Sequence, residues 1–199
     1  MIGQTRLRIE HAGTPDVMNL TPLFQPLEKA SFLDPVSNAV ASKLRSALEG
    51  SPVDGLLRGT FVGHPMHPIM AYTSVGLWSS AVYLDLTGGA PDAARRLIGA
   101  GVLTAPTALV TGWATWSTLT SKQRRVGLFH ASTNGVALGL FAASYRRRSK
   151  DPENTPPDST SKALALAGFT IAGLGGALGG HLGYNMGGGV AARALPAGV

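Results

Sequence analysis

Residues 97–119, LIGAGVLTAPTALVTGWATWSTL, run without a single Asp, Glu, Lys or Arg. A helix needs about 20 predominantly apolar residues to cross the hydrocarbon core of a bilayer, and this stretch supplies them. Pro106 inside it is tolerated where neighbouring helices or side chains re-satisfy the backbone. Working outward, residues 69–86 meet their only charge at Asp85 and begin at a turn carrying Pro65 and Pro68, while residues 126–145 and 163–182 are also charge-free. One such segment can hide in a large soluble core. Four in a chain of 199 residues leave nothing to bury them except lipid.

The composition agrees. Charged residues make up 14% of the chain and hydrophobic residues 44%, against about 25% charged in a typical soluble domain. A soluble enzyme with charge spread along its surface is excluded. The absence of Cys excludes a disulfide scaffold, a thiolate zinc site, a Cys-ligated iron–sulfur cluster and covalent c-type haem within this chain. A net charge of +6 does not point to nucleic acid, because Lys and Arg fall at the ends of apolar segments, where headgroups and topology account for them.

The expected fold class is all-α, an integral membrane four-helix up-and-down bundle with a polar, partly helical N-terminal tail. The expected divisions are 1–60 for the tail with its amphipathic helices, 61–192 for the four-span domain and 193–199 for a short C-terminal tail. In the N-terminal tail, residues 35–48 put Val36, Val40, Leu44 and Leu48 at helical spacing, with Asp34 as N-cap and Pro35 at the first helical position. This helix is expected to lie at the interface or against a partner. A shorter helix is expected over 52–57. No secretory signal is expected, since the first long apolar run comes late. Residues 146–162, charged and Pro-rich, are expected to form an exposed, mobile loop.

An up-and-down bundle of four spans puts both termini on one face, side A. His64 and His67 then lie where the first span begins on side A, His130 just inside the third, and His181 where the fourth ends, again on A. Side B carries Arg95, Arg96, Arg146, Arg147, Arg148, Lys150 and Lys162 against Arg58, Lys122, Arg124, Arg125 and Arg193 on side A. That slim excess favours a cytoplasmic side B, but the tail would then have to cross the membrane, so orientation stays open. Asn134 follows His130 at i+4, and Tyr184 and Asn185 follow His181 at i+3 and i+4, so polar side chains are placed to orient imidazoles. His11, in the tail, has no such setting. Trp113 and Trp116 read as members of an aromatic belt.

The fourth span is rich in glycine: Gly175 with Gly179, Gly176 with Gly180 and Gly179 with Gly183 each form a small-xxx-small pair that admits a neighbouring backbone. The same glycines leave room for a flat macrocycle beside the imidazoles. Both readings stand at this point.

Gly63-His64-Pro65-Met66-His67-Pro68-Ile69 opening a span, Gly76-Leu77-Trp78 and Asp85-Leu86 after it, Gln123-Arg124-Arg125-Val126-Gly127-Leu128 leading to His130, and Leu178-Gly179-Gly180-His181-Leu182 with Tyr184 close behind together resemble the bacterial membrane domain called domain of unknown function 2231. The resemblance covers about residues 56–190. It implies a four-helix integral membrane protein in redox company, since some members are fused to Rieske or c-type cytochrome domains. This chain departs from the family in having Thr115 where an acidic residue commonly precedes the Trp-Ser pair. Without Cys, a Rieske or cytochrome partner would be a separate polypeptide.

Two function classes follow. In the first, His64, His67, His130 and His181, with Asn134 and Tyr184, form the cofactor site of a b-type cytochrome. Two imidazoles from different helices ligate haem b, and electrons pass between a quinone pool and a partner on side A. The favoured ligand pair is His67 with His130, leaving His181 as a second ligand or a propionate or quinone contact beside Tyr184. In the second class the chain is a non-catalytic membrane anchor or accessory subunit. A third option is a His-only Zn or Cu site of His67, His130 and His181. An electron-transfer or accessory subunit is expected in preference to an independent enzyme; the expected location is the bacterial cell membrane, multi-pass. Transport is disfavoured, because no span centre carries an ionisable residue to line a path.

Overall fold

The structure, a computed structural model, describes residues 21–189. Three short helices come first: α1 (Thr21–Glu28), α2 (Asp34–Leu48, after a single 3-10 turn) and α3 (Pro52–Arg58). Four long ones follow: α4 (Met66–Thr87), α5 (Pro91–Trp116), α6 (Ser121–Arg148) and α7 (Ser159–Gly180), the last continuing into a π-helical turn at His181–Asn185. Among the described residues there is no strand. Three of the long helices, Pro91–Trp116, Ser121–Arg148 and Ser159–Asn185, are long and apolar enough to cross a membrane. The helix expected as the first span, α4, is 22 residues long and carries Ser74, Ser79, Ser80 and Asp85. It falls outside that group.

Local chemistry explains the helix ends. Thr120 and Gln123 form a reciprocal capping box that starts α6 five residues earlier than the apolar run does, and Asp158 caps α7 by accepting from the Ser161 N–H at 2.8 Å. Pro91 occupies the first position of α5, where its missing N–H costs nothing. Gly59 closes α3 in the left-handed conformation with φ 79°, and a Cβ there would meet the His64 carbonyl oxygen at 2.0 Å.

Antiparallel α4 and α5 form one hairpin, antiparallel α6 and α7 a second, and the hairpins meet along α4/α6, α5/α6 and α4/α7. Packing is inverted relative to a water-soluble domain. Leu103 is 79% exposed and Val136, Leu174 and Leu166 also point outward, whereas Ser74, Thr111, Ser117, Ser144 and Ser161 are buried. Outward apolar side chains around a core that mixes Trp78, Ile98 and Phe141 with small and hydroxyl-bearing residues suit lipid as the surrounding solvent.

The two hairpins are an internal repeat. Asp85 and Arg148, 63 residues apart, are ion-paired at one end of the helices. The same offset relates Trp78 to Phe141, stacked at 4.3 Å between centroids, and His67 to His130, which meet edge to face at 5.9 Å. On the returning helices the offset is 67 residues, relating Gly101 and Gly112 to Gly168 and Gly179, and each of the four lies under a ring of its own hairpin: Trp78, His67, Phe141 and His130 in turn. α4 and α6 run the same way, so the repeat axis lies along the helices. The Trp78–Phe141 stack contributes roughly 0.5–1.5 kcal/mol beyond area burial, offset in part by the buried Trp78 indole N–H, which finds no acceptor.

Two expectations are corrected. Arg148, expected in an exposed loop, is the last residue of α6 and 4% exposed; its guanidinium grips Asp85 at 2.8 Å and Ser144 at 3.1 Å. α2 packs on the ends of α5 and α6 through the small side chains of Ser37 and Ala41, which are buried, and leaves Val36 and Val40 exposed. Asp34 opens α2 without capping it, since its carboxylate is taken by Arg125, 2.7 Å away at Nε.

The Asp85–Arg148 pair supplies a test. Removing one partner strands a buried charge, at a cost of about 3–5 kcal/mol, whereas replacing both with apolar residues of similar size is far milder. Thermal unfolding in detergent should therefore show Asp85→Leu as strongly destabilised and Asp85→Leu with Arg148→Met close to wild type.

Candidate functional site

The two central histidines are held in the same way. His67 lies in the first turn of α4, and its Nδ1 bonds to the Ala108 carbonyl of α5 at 2.9 Å. His130 lies nine residues into α6, about 13 Å along the helix, and its Nδ1 bonds to the Gly175 carbonyl of α7 at 2.8 Å. A carbonyl only accepts, so Nδ1 carries the proton in both rings and the lone pair is on Nε2. In each hairpin the carbonyl sits one turn before the glycine that seats the ring. A Cβ on Gly112 would come within 2.9 Å of the His67 ring, and one on Gly179 within 2.8 Å of the His130 ring. Asn134 completes the His130 setting: its Nδ2 donates to the His130 carbonyl at 2.8 Å and lies 3.4 Å from Nε2. The amide itself rests against Gly175.

The level of His67 follows from the backbone. α4 starts beside Ala108 and Gly112, about one to two turns short of the end of α5. The missing length on side A is filled by α3 and the turn after it, and Arg58 ties α3 to α5 by donating to the Ala114 carbonyl at 2.8 Å. His67 is thereby drawn inward. His64 stays in the non-helical turn before α4, exposed, so the two histidines of the His-Pro-Met-His-Pro motif face different surroundings.

His181 has partners of another kind. It is 5% exposed, its Nε2 bonds to Glu28 Oε1 at 2.7 Å, Asn185 reaches its Nδ1 at 3.2 Å, and the Phe24 ring lies 5.0 Å away. Lys122 holds the other Glu28 oxygen at 2.7 Å. The Arg125 guanidinium donates to the Glu28 carbonyl at 2.6 Å, and Arg124 reaches Asn38. A basic start of α6 thus clamps α1 and α2 over side A. Tyr184 is 82% exposed. Trp116, expected in an aromatic belt, is 5% exposed; its indole donates to the Arg124 carbonyl at 3.0 Å and its ring meets Trp113 at 4.9 Å. His11 lies outside the described residues.

Of the four expected histidines, then, the structure pairs His67 with His130 and places His64 and His181 elsewhere. Among the described residues no group of three or more His, Cys, Asp or Glu is gathered in a form that would hold a metal ion, so the three-histidine metal arrangement does not form. Glu28 and Lys122 were missed in the sequence reading because a lone acidic residue in a polar tail carries no local signal. The repeat was legible in principle, as a recurrence of His, an aromatic three turns on and a charge two turns beyond that.

Apolar outward faces and three helices of spanning length define a multi-pass integral membrane protein, embedded in a lipid bilayer. The chain belongs to the family DUF2231, described as a predicted membrane protein, whose profile matches residues 63–192. No curated protein and no solved structure matches the chain.

The ring seats predict that Gly179→Val displaces His130 and lowers the melting temperature by several degrees, while Gly176→Val, where a Cβ meets nothing, leaves it unchanged. The clamp predicts a pH effect. Lys122, and after it His181, holds the Glu28 carboxyl below the ordinary glutamate range against the opposing effect of burial. Its contribution is therefore complete above about pH 4.3, the free-glutamate value, and is lost as pH falls through the lowered folded value. Hydrogen exchange of residues 21–28 should accelerate on that acidification and be already fast at neutral pH in Glu28→Gln.

Proposed function

We propose that this chain is a four-span, up-and-down protein of the bacterial cell membrane in which His67 and His130 hold a b-type haem. Electrons would pass between a quinone pool and a separate Rieske or cytochrome polypeptide on side A. The observation that carries the reading is the pair itself: two imidazoles from different hairpins, each with Nδ1–H fixed by a helix carbonyl, with the Asn134 amide, 3.4 Å from the His130 Nε2, as the neighbour that a ligand there would displace. A backbone carbonyl on Nδ1 is the usual device that orients a metal-ligating histidine and raises its basicity. Bis-imidazole haem would supply reversible one-electron transfer. His67 and His130 would hold it, and the surrounding helices would exclude water. Gly112 and Gly179 keep larger side chains away from the two rings.

One observation favours a second reading, a non-catalytic anchor or accessory subunit. The space at Gly175 and Gly179 is filled by the Asn134 amide and the His130 ring of the chain itself, which suffices for a purely structural role. In that case α1 and α2, with Phe32 77% and Val36 68% exposed, would offer the docking surface for the rest of a complex.

A visible spectrum of the full-length protein purified from haem-replete cells decides between them. The haem reading expects a reduced-minus-oxidised b-type band that disappears in His67→Ala and His130→Ala and survives in His11→Ala. A spectrum without that band leaves the anchor reading. Reporter fusions at Gly3 and Val199 are expected in the same compartment, and opposite compartments would overturn the four-span topology.

A further inference from the structure

The repeat makes the α5/α6 and α4/α7 seams equivalent, and their side-B ends differ in a way that points to a ligand. In the α5/α6 seam, the Tyr145 ring packs on Gly99, where a Cβ would lie 2.6 Å from it, and Arg95 is neutralised by Asp92 at 3.0 Å. At the positions that the repeat makes equivalent in the α4/α7 seam, Tyr145 becomes Val82, Asp92 becomes Ser159 and Arg95 becomes Lys162. The neutralising carboxylate is missing, and the ring with its glycine seat gives way to Val82 and to Leu166, the residue equivalent to Gly99. In their place is a cleft of about 100 Å³ lined by Val82, Asp85, Leu86, Lys162, Ala163 and Leu166.

The charges in and around the cleft are accounted for one by one. Both Asp85 oxygens are taken by Arg148, so that carboxylate brings no net charge. Nearby, Arg147 pairs with Asp158, while Arg95 and Arg96 share the single carboxylate of Asp92, which leaves one positive charge there, carried by Arg96 at 71% side-chain exposure. Lys162 is exposed and has no ion-pair partner among the described residues. It stands near the start of α7, with Leu166 one turn further in. Leu86, 72% exposed, and Leu166, 47% exposed, present apolar surface outward. One cation at the helix end above an apolar cleft is the charge and hydropathy order of an anionic phospholipid, headgroup outermost and acyl chain inward.

We propose that the side-B end of the α4/α7 seam binds one anionic glycerophospholipid, its phosphate on Lys162 and the first part of an acyl chain between Val82, Leu86, Ala163 and Leu166. The equivalent α5/α6 position, plugged by Tyr145 and with its Arg95 paired to Asp92, binds none. This site is separate from the paired imidazoles and does not depend on what they hold.

The test uses the full-length protein purified in mixed phosphatidylglycerol and phosphatidylcholine micelles, with retained lipid counted by native mass spectrometry. Wild type is expected to keep one phosphatidylglycerol in preference to phosphatidylcholine. Lys162→Gln should lower that retention about five-fold, the effect of one cation near an anionic headgroup, and Lys150→Gln, at an exposed lysine of the same end, should leave it unchanged. Ala163→Phe, which fills the cleft and keeps the charge, should lower it as well. Equal retention in Lys162→Gln and wild type overturns the proposal. So does an equal loss in Lys150→Gln, which would mean diffuse attraction, or displacement of the lipid by millimolar inorganic phosphate, which would mean a site for a free anion. Circular dichroism confirms that each variant is helical, and should Ala163→Phe fail to fold, the contrast between the two lysines decides.

Discussion

The pairing of α4 with α6 along the repeat axis is the constraint from which the rest of the membrane domain follows. Three contacts mark that axis from side A to side B: imidazole on imidazole, indole on phenyl, carboxylate on guanidinium. Each is a self-limiting contact with its own preferred geometry, and together they fix the register of the two hairpins to one turn. A slide by a single turn would strand the buried Arg148 charge and unstack Trp78 from Phe141. Lipid offers little drive for apolar helices to associate, so polar and aromatic contacts on the axis carry the specificity that a hydrophobic core carries in water.

Glycine has a definite part in this design. Gly101, Gly112, Gly168 and Gly179 are placed under Trp78, His67, Phe141 and His130, so that each large ring has a flat seat on its partner helix. Gly173, Gly176, Gly135 and Gly139 meet nothing within van der Waals range. The glycine richness of the last helix therefore has two components, an inward one that seats side chains and an outward one that the chain itself does not use. The expectation of room for close backbone approach is met in a modified form: side chains, rather than a neighbouring backbone, occupy the space.

Side A is closed by a different chemistry. The start of α6 is a run of bases, Lys122, Arg124 and Arg125, which meet Glu28, Asn38 and Asp34 of the short helices. Such bases at a membrane boundary are ordinarily read as topology signals. Here they also hold residues 21–48 against the helix ends, and His181 is drawn into that layer through Glu28 instead of joining His67 and His130. The Glu28 carboxylate thus links the last turn of the membrane domain to the first described helix.

Charge depletion and capping chemistry are local properties, so an all-helical, membrane-embedded chain, its family and the rough course of the long helices are legible in the residues alone. The meeting of His67 with His130 is a property of the packed helices. What only the tertiary structure decided is which residues meet. Val36 and Val40 gave α2 its apolar period, while Ser37 and Ala41 are the residues buried where α2 packs on α5 and α6. Arg148 looked like one of several arginines in a loop, and Trp116 like a belt residue, until Asp85 and the Arg124 carbonyl were seen beside them. Helical periodicity reports which residues share a face. Which face meets which, and at what depth, depends on distances between helices that are far apart in the chain.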